Sequence, residues 1–194
     1  MPTTHLLYLH GFRSSPQSAK ARSMAQYVQT QHPDVTWLCP QLPPSPQAAM
    51  EMVLEQVQDW PSAQMAVIGS SLGGYYASWI AHQKKCKAVF LNPAVWPDHS
   101  LEQYIGEHTH WHDPAEAFFF KPEYIQELRD LALHEAPAPA AQLGIFAKGD
   151  EVLDWRQMVA RYPQAEQVIL EGGDHALSDF DSHVSHILDF LDLV

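Results

Sequence analysis

Short runs of apolar residues alternate along this chain with segments in which apolar positions recur every three or four residues. The short runs are typical of buried strands, and the recurring positions are typical of amphipathic helices. The runs predict six strands, at residues 5–9, 35–39, 66–68, 88–91, 143–147 and 168–170. The recurring positions predict helices at residues 16–31, 47–60, 75–82, 157–161 and 182–193, with Ser15 as the first N-cap.

Strands that alternate with helices predict an α/β fold built on a six-stranded, mostly parallel, doubly wound sheet. We expect residues 1–194 to form a single domain of this kind. Residues 97–139 differ, because they are rich in His, Trp, Phe and Pro and form too long a connection for a simple crossover. They show no clear strand and predict helices near 101–105 and 123–133. We therefore expect this segment, called the insertion below, to form a helical lid or cap over a site.

The stretch from Gly69 to Gly73 matches the pattern G-x-S-x-G, with Ser71 at its centre. An apolar strand precedes it and a helix follows it, which is the context of a nucleophile elbow. Side chains at Gly69 and Gly73 would collide with the neighbouring strand and helix. The alternative interpretation is an ordinary strand-to-helix loop, such as one that holds a phosphate.

The ends of the other predicted strands carry the partners that a nucleophilic serine requires. His10-Gly11-Phe12 follows the first strand, Asp150 follows the fifth, and His175 follows the sixth. Because the carboxyl ends of parallel strands share one edge of a sheet, we expect these residues to meet Ser71 there. The chain order Ser, Asp, His agrees with a triad of nucleophile, acid and base.

In this triad His175 takes the proton of Ser71, and Asp150 orients the histidine. We favour Asp150 because it directly follows a strand-end glycine. The rival carboxylates are Glu151, Asp154 and Asp174.

The oxyanion hole needs backbone N–H donors, for which the N–H groups of Leu72 and Phe12 are the candidates. His10 is a candidate wall of this hole and of the substrate pocket, held by hydrogen bonds, and is not favoured as the base. No metal or organic cofactor is expected.

The aromatic residues of the insertion leave two interpretations open. Trp96, Trp111 and Phe119, within or beside the run 118–120, are candidates for lining an acyl pocket, or they form the core of the lid itself. The histidines at 108, 110 and 112, with Asp113, are candidates for a metal site, but the histidine spacing suits neither one helix face nor a tetrahedral site without further ligands. A solvated or aromatic-packed lid is the favoured interpretation of these histidines.

Composition restricts the partners of this protein. The formal net charge of −12 argues against nucleic acid or an anionic membrane as a ligand, since cationic patches hold both. The two cysteines, Cys39 and Cys86, are expected to be small buried side chains in a reducing compartment. Because no signal-like segment or long apolar run is present, a cytoplasmic protein with a small-molecule substrate is expected. The sequence does not indicate the oligomeric state.

Several motifs, in order, resemble the small bacterial esterases of the YqiA/YcfP type, within the α/β-hydrolase superfamily. They are Leu7-Tyr8-Leu9-His10-Gly11-Phe12, Gly69-Ser70-Ser71-Leu72-Gly73-Gly74-Tyr75-Tyr76-Ala77, Leu91-Asn92-Pro93-Ala94, Gly149-Asp150-Glu151-Val152-Leu153-Asp154 and Glu171-Gly172-Gly173-Asp174-His175. The likeness is weakest from Pro97 to Pro139.

The resemblance implies an α/β-hydrolase fold, hydrolysis of carboxylic esters, and acyl-CoA thioesters as a further substrate class. It maps the triad onto Ser71, Asp150 and His175. The competing hypotheses are a non-catalytic binding module on the same fold, and a triad-dependent carbon–carbon hydrolase or lyase.

Overall fold

A computed structural model of the chain describes residues 2–134 and 140–193. Its strands, in chain order, are β1 (His5–Leu9), β2 (Thr36–Leu38), β3 (Met65–Ser70), β4 (Lys87–Leu91), β5 (Gly106–Thr109), β6 (Ala117–Phe120), β7 (Gln142–Ala147) and β8 (Glu166–Leu170). Six of them form one sheet in the order β2-β1-β3-β4-β7-β8, in which every neighbouring pair is parallel. The predicted α/β fold, with its six-stranded sheet, is confirmed.

Helices cover both faces of this sheet. They are α1 (Ala19–Gln31), α2 (Pro46–Gln56), α3 (Leu72–Lys84), α4 (Pro97–Leu101), α5 (Glu123–Asp130), α6 (Trp155–Arg161) and α7 (Val184–Phe190). Successive strand residues point to opposite faces, so Leu7 and Leu9 pack with α2, α3, α5 and α6, while Leu6 and Tyr8 pack with α1 and α7. The central strands are therefore apolar on both sides, which explains their continuous apolar runs.

The first and last helices differ from their predicted bounds. Ser15 does not cap a helix, because its Oγ accepts the Gln17 N–H within a turn, and α1 begins at Ala19. At the other end, a 3₁₀ turn at Phe180–His183 precedes α7, so the predicted helix is divided in two.

The insertion contains strands that the sequence did not predict. β5 and β6 pair antiparallel as a hairpin, with His108 opposite Phe118 and Thr109 opposite Ala117. The prediction of a segment without strands was wrong at this point, because cross-strand pairing of aromatic residues stabilises strands too short to show a clear alternation. The helix expected near 123–133 is α5. The one expected near 101–105 is displaced, because α4 ends at Leu101 and a 3₁₀ turn at Glu102–Tyr104 follows it. Residues 135–139, the last of the insertion, lie outside the described residues.

The helices of the described ranges are all too short or too polar to cross a membrane.

Candidate active site

Ser71 lies on a sharp turn between β3 and α3. Its backbone has φ of 56° and ψ of −121°, a conformation that residues with side chains rarely adopt. The neighbouring glycines explain how the turn is accommodated. A Cβ atom on Gly69 would lie 2.1 Å from the Gly73 carbonyl oxygen, and one on Gly73 would lie 2.0 Å from the Leu9 carbonyl oxygen. The G-x-S-x-G pattern thus reflects backbone packing too close for any side chain.

Ser71, His175 and Asp150 form a continuous chain of hydrogen bonds at the carboxyl edge of the sheet. The Nε2 atom of His175 lies 2.9 Å from the Ser71 Oγ, and its Nδ1 atom lies 2.8 Å from the Asp150 Oδ2. A carboxylate only accepts, so Nδ1–H donates to Asp150 and Nε2 is left to accept the serine proton. The structure brings together the three residues that the sequence selected.

The Asp150 carboxylate is rigidly held. Its side chain is fully buried, and its Oδ1 accepts the N–H groups of Val152 and Leu153, each at 2.8 Å. These bonds occupy one oxygen and direct the other toward His175.

The rival carboxylates Asp154 and Asp174 have other partners. Asp154 caps α6, since its Oδ1 accepts the Arg156 N–H at 3.0 Å. Asp174 accepts both the N–H and the hydroxyl of Ser178, and these hydrogen bonds lower the pKa of its carboxyl. Neither carboxylate is bonded to the His175 ring.

The loop that carries His175 is anchored by two side chains whose roles the sequence analysis missed. The buried Asn92 donates from its Nδ2 to the carbonyls of Asp174 (3.0 Å) and His175 (3.3 Å), while its Oδ1 accepts the Ala147 N–H at 2.8 Å. The third rival carboxylate, Glu151, accepts the His175 backbone N–H at 3.0 Å. A polar residue placed directly after the buried strand β4 was the signal that could have identified Asn92.

The two candidate oxyanion donors lie beside Ser71. Leu72 is the first residue of α3, so its N–H has no intrahelical acceptor. Neither this N–H nor that of Phe12 donates a hydrogen bond to any residue in the described ranges. Gly11 approaches Ser71 closely, since a Cβ atom built on it would lie 3.2 Å from the Ser71 Cβ. Both donors are therefore free to bind a ligand oxygen near the serine.

The side chain of Phe12 is packed by the insertion. Its ring contacts four aromatic rings at centroid distances of 5.2 to 5.9 Å, those of Tyr104, His108, Phe118 and Phe120. For the aromatic run 118–120, the two interpretations were the lining of an acyl pocket and a core of the lid, and the second holds for two of its three residues. Phe118 and Phe120 build a small core around Phe12, whereas Phe119 is 54% exposed.

His10 is buried at the carboxyl end of β1, next to Gly11, and is hydrogen-bonded on both ring nitrogens. Its Nδ1–H donates to the Gly11 carbonyl at 3.0 Å, and its Nε2 accepts the Leu42 N–H at 3.1 Å. Burial lowers the pKa of His10 to about 4, so the ring is neutral at pH 7. His10 lines the smaller of the two cavities described below, and its role as a wall of the oxyanion hole stays a prediction.

Two cavities meet at Ser71 and His175, and both are also lined by Phe12 and Trp111. The larger, of about 400 Å³, is mostly apolar. Its remaining lining residues are Arg13, Leu72, Ala94, Pro97, Ser100, Leu101, Gln103, Tyr104, Glu151, Val152 and Leu153. The smaller, of about 220 Å³, has polar side chains on most of its lining residues and is lined further by Tyr8, His10, Gly11, Ser14, Ser18, Lys20, Ser70 and Ala176.

The predicted pocket residues are distributed unevenly around these cavities. Trp111 lines both of them. Trp96 instead stacks on His99 and lines a separate cavity beside Arg161, and Phe119 does not line either cavity at Ser71. The rings of His110 and Phe118 lie 4.9 Å apart, an aromatic contact within the insertion.

Comparison with solved structures identifies the fold. The mouse alpha/beta hydrolase domain-containing protein 10 superposes with a TM-score of 0.75 at 17% identity, covering 99% of this chain and 91% of that one. Est1E from Butyrivibrio proteoclasticus, in a structure with ferulic acid bound, gives 0.73 at 13% identity, with 98% and 90% covered. The esterase domain of a Rhodothermus marinus protein gives 0.68 at 19%, with 97% and 85% covered. This likeness establishes the α/β-hydrolase fold.

Sequence comparison finds relatives that extend over most of the chain. A UPF0227 protein of Yersinia enterocolitica is 25% identical over 191 residues, which are 95% of this chain and 97% of the relative. A UPF0227 protein of Shewanella baltica is 26% identical over 162 residues, 80% of each chain. The model of one family, described as Uncharacterised protein family (UPF0227), matches residues 5–192, and the chain belongs to that family.

Proposed function

We propose that this protein is a serine hydrolase that cleaves carboxylic esters through an acyl-enzyme intermediate. The observation that carries the proposal is the chain of hydrogen bonds from the Ser71 Oγ through His175 to the Asp150 carboxylate, at 2.9 and 2.8 Å. A serine hydroxyl becomes an effective nucleophile when a base accepts its proton, and a buried carboxylate stabilises the imidazolium that results.

In the first half of the reaction the Ser71 Oγ attacks the ester carbonyl carbon, and its proton passes to the His175 Nε2. The carbonyl oxygen becomes an oxyanion, which accepts hydrogen bonds from the N–H groups of Leu72 and Phe12. The tetrahedral intermediate collapses to the acyl-enzyme, and His175 gives the proton to the departing alkoxide, which leaves as an alcohol.

In the second half a water molecule attacks the acyl carbon while His175 accepts a proton from it. The second tetrahedral intermediate collapses, the Ser71 oxygen leaves and regains a proton from His175, and the carboxylic acid is released. The same steps cleave a thioester, with a thiol as the leaving group, so acyl-CoA thioesters are a second substrate class within this proposal.

The larger cavity is the proposed acyl site. Leu101, Tyr104 and Val152 are among the side chains that give it an apolar lining next to Ser71. Residues of the insertion supply one side of it, which supports the interpretation of residues 97–139 as a lid on a single hydrolase domain, residues 1–194. Est1E, whose solved structure contains ferulic acid, and the Rhodothermus esterase domain share the fold, which supports an ester substrate.

Hydrolysis of p-nitrophenyl esters of graded chain length tests the proposal. Ser71→Ala should lower turnover by a factor on the order of 10⁴–10⁶ without a change in thermal midpoint, because the hydroxyl makes the acyl bond and does not pack in the core. A fluorophosphonate probe should modify Ser71 in the folded protein. Near-normal turnover by Ser71→Ala, or no adduct, would overturn the proposal. The absence of an adduct would favour a non-catalytic binding module, and an adduct without ester turnover would favour a carbon–carbon hydrolase or lyase.

A further inference from the structure

Residues with polar side chains make up a larger share of the lining of the smaller cavity than of the larger one. The lining of the smaller cavity includes the Lys20 side chain, the hydroxyl-bearing residues Tyr8, Ser14, Ser18 and Ser70, and the His10 ring. It reaches both Ser71 and His175. A group in this cavity is therefore adjacent to the reacting atoms but in contact with hydrogen-bond donors.

Lys20 is the only cation among the residues that line this cavity. Its Nζ donates to the Ala176 carbonyl, and within the described ranges no carboxylate forms an ion pair with it. An ammonium group carries three N–H donors, so the others remain for a ligand. Burial lowers the pKa of Lys20, while Asp174 and Asp150 act in the opposite direction. An anion in the cavity would offset the cost of burying this charge.

Two further features of the cavity suit a negatively charged ligand. The N-terminal end of α1 lies at it, with no acidic residue in the first turn and no side-chain cap from Ser18. The free N–H groups and the dipole of a helix start favour a negative charge. Tyr8, which is fully buried, also lines the cavity, and its hydroxyl forms no hydrogen bond of ordinary geometry with the described residues, although Ser70 is close to it.

We propose that the smaller cavity binds the leaving group of the substrate, and that this leaving group carries a carboxylate held by Lys20. The inference rests on the proposed function. The apolar acyl chain takes the larger cavity, so the alcohol that His175 protonates occupies the other. A carboxylate is favoured over a phosphate dianion because Lys20 is a single cation with two carboxylates, Asp150 and Asp174, acting on it.

A matched pair of substrates tests the assignment. One is the butyryl ester of 4-hydroxybenzoate, whose leaving group is a carboxylate, and the other is the butyryl ester of methyl 4-hydroxybenzoate, which is neutral. Lys20→Met should lower kcat/KM for the charged ester about tenfold more than for the neutral ester, the size expected for a lost hydrogen bond to a charge. Lys20→Arg should restore most of the preference. Lys121→Met, which removes an exposed lysine of the insertion, is the matched control and should leave the ratio unchanged.

This ratio separates binding of the carboxylate from a purely structural role. Lys20 also holds the Ala176 carbonyl next to His175, so a structural role would lower turnover of both esters equally. Equal losses would overturn the inference while the proposed esterase activity stands. Failure of wild-type protein to cleave either ester would count against the proposed function instead.

Binding of 4-hydroxybenzoate to Ser71→Ala protein tests the site without turnover. Calorimetry should detect binding to the Ser71→Ala protein. The affinity should fall about tenfold in the double variant Ser71→Ala, Lys20→Met, and should be unchanged in the control Ser71→Ala, Lys121→Met. Equal affinity with and without the Lys20 ammonium would overturn the inference, whatever the enzyme activity shows.

Discussion

The guanidinium of Arg13 lies over the indole of Trp111, with its central carbon 3.9 Å from the ring centroid. The contact is reinforced on both sides. Arg13 Nε donates to the Thr109 carbonyl at 2.8 Å, and the backbone N–H of Trp111 donates to the Arg13 carbonyl at 2.9 Å. These contacts hold the loop after β1, which carries the proposed oxyanion donor Phe12, against the insertion.

Removing the Trp111 indole should weaken the contact between the loop after β1 and the insertion, and should lower catalytic efficiency. We expect Trp111→Ala to reduce kcat/KM for p-nitrophenyl butyrate at least tenfold, since the Phe12 N–H would be less well placed and a wall shared by both cavities would be lost. Trp96→Ala is the matched control, because Trp96 lines neither cavity. Steady-state kinetics measures both variants. Equal losses of kcat/KM would show that the contact between Arg13 and Trp111 does not contribute to catalysis.

The sheet, and the meeting of Ser71, Asp150 and His175 at one edge of it, could be predicted because each depends on local sequence. A strand that is buried on both faces must be apolar throughout, and the turn at Ser71 admits only glycine at Gly69 and Gly73. The parallel topology then brings the strand ends to one edge, so Asp150 and His175 could be selected without coordinates.

The contacts of the insertion and of the His175 loop could not be predicted in this way. The four rings around Phe12 come from separate parts of the insertion, and no periodicity links them to the loop after β1. Asn92 forms hydrogen bonds with Ala147 and Asp174, which lie 55 and 82 positions further along the chain. Nothing in the sequence distinguishes Trp96 from Trp111 as a pocket residue. Only the path of the chain in three dimensions brings Trp111, and not Trp96, to the two cavities at Ser71.

Substitution of two glycines should distinguish close packing from ordinary loop flexibility. A methyl group on Gly73 would meet the backbone oxygens of Leu9 and His10 at 2.0 and 2.6 Å, which cannot yield without moving β1. We expect Gly73→Ala to lower the free energy of unfolding by at least about 3 kcal/mol. Gly172→Ala, where nothing lies within 4 Å, should change it by less than about 1 kcal/mol. Urea denaturation of both variants makes the comparison, and equal stabilities would contradict the packing explanation.

Asn92 should support catalysis by positioning the His175 loop. Asn92→Gly removes the amide but tolerates the backbone φ of 41° at this position, so it isolates the loss of the hydrogen bonds. We expect the free energy of unfolding to fall by about 1–3 kcal/mol, because the Ala147 N–H is left buried without a partner.

The same variant should lower kcat more than it raises KM, since Asn92 lines neither cavity at Ser71. Asn92→Asp provides the second comparison. It keeps an acceptor for Ala147 but places a carboxylate oxygen against the carbonyls of Asp174 and His175, so kcat should fall at least as far. A change confined to KM in both variants would show that Asn92 does not position His175.

His10 should make the stability of the protein depend on pH. In the folded protein burial lowers its pKa to about 4, against an ordinary value of about 6.5 in the unfolded chain. Between these values the unfolded state binds the additional proton, so stability rises with pH across this interval. The contribution is complete above pH of about 6.5 and is lost as the pH falls toward 4.

His10→Gln should abolish this dependence, because the Gln side chain does not titrate and its carbonyl oxygen can accept the Leu42 N–H in place of Nε2. Between pH 7 and pH 4 the wild-type free energy of unfolding should fall by about 3 kcal/mol more than that of His10→Gln. Urea denaturation at intervals across this range measures the difference, in which titrations common to both proteins cancel. Parallel stability curves for the two proteins would mean that His10 is protonated equally in the folded and unfolded chains, contrary to its burial and its two hydrogen bonds.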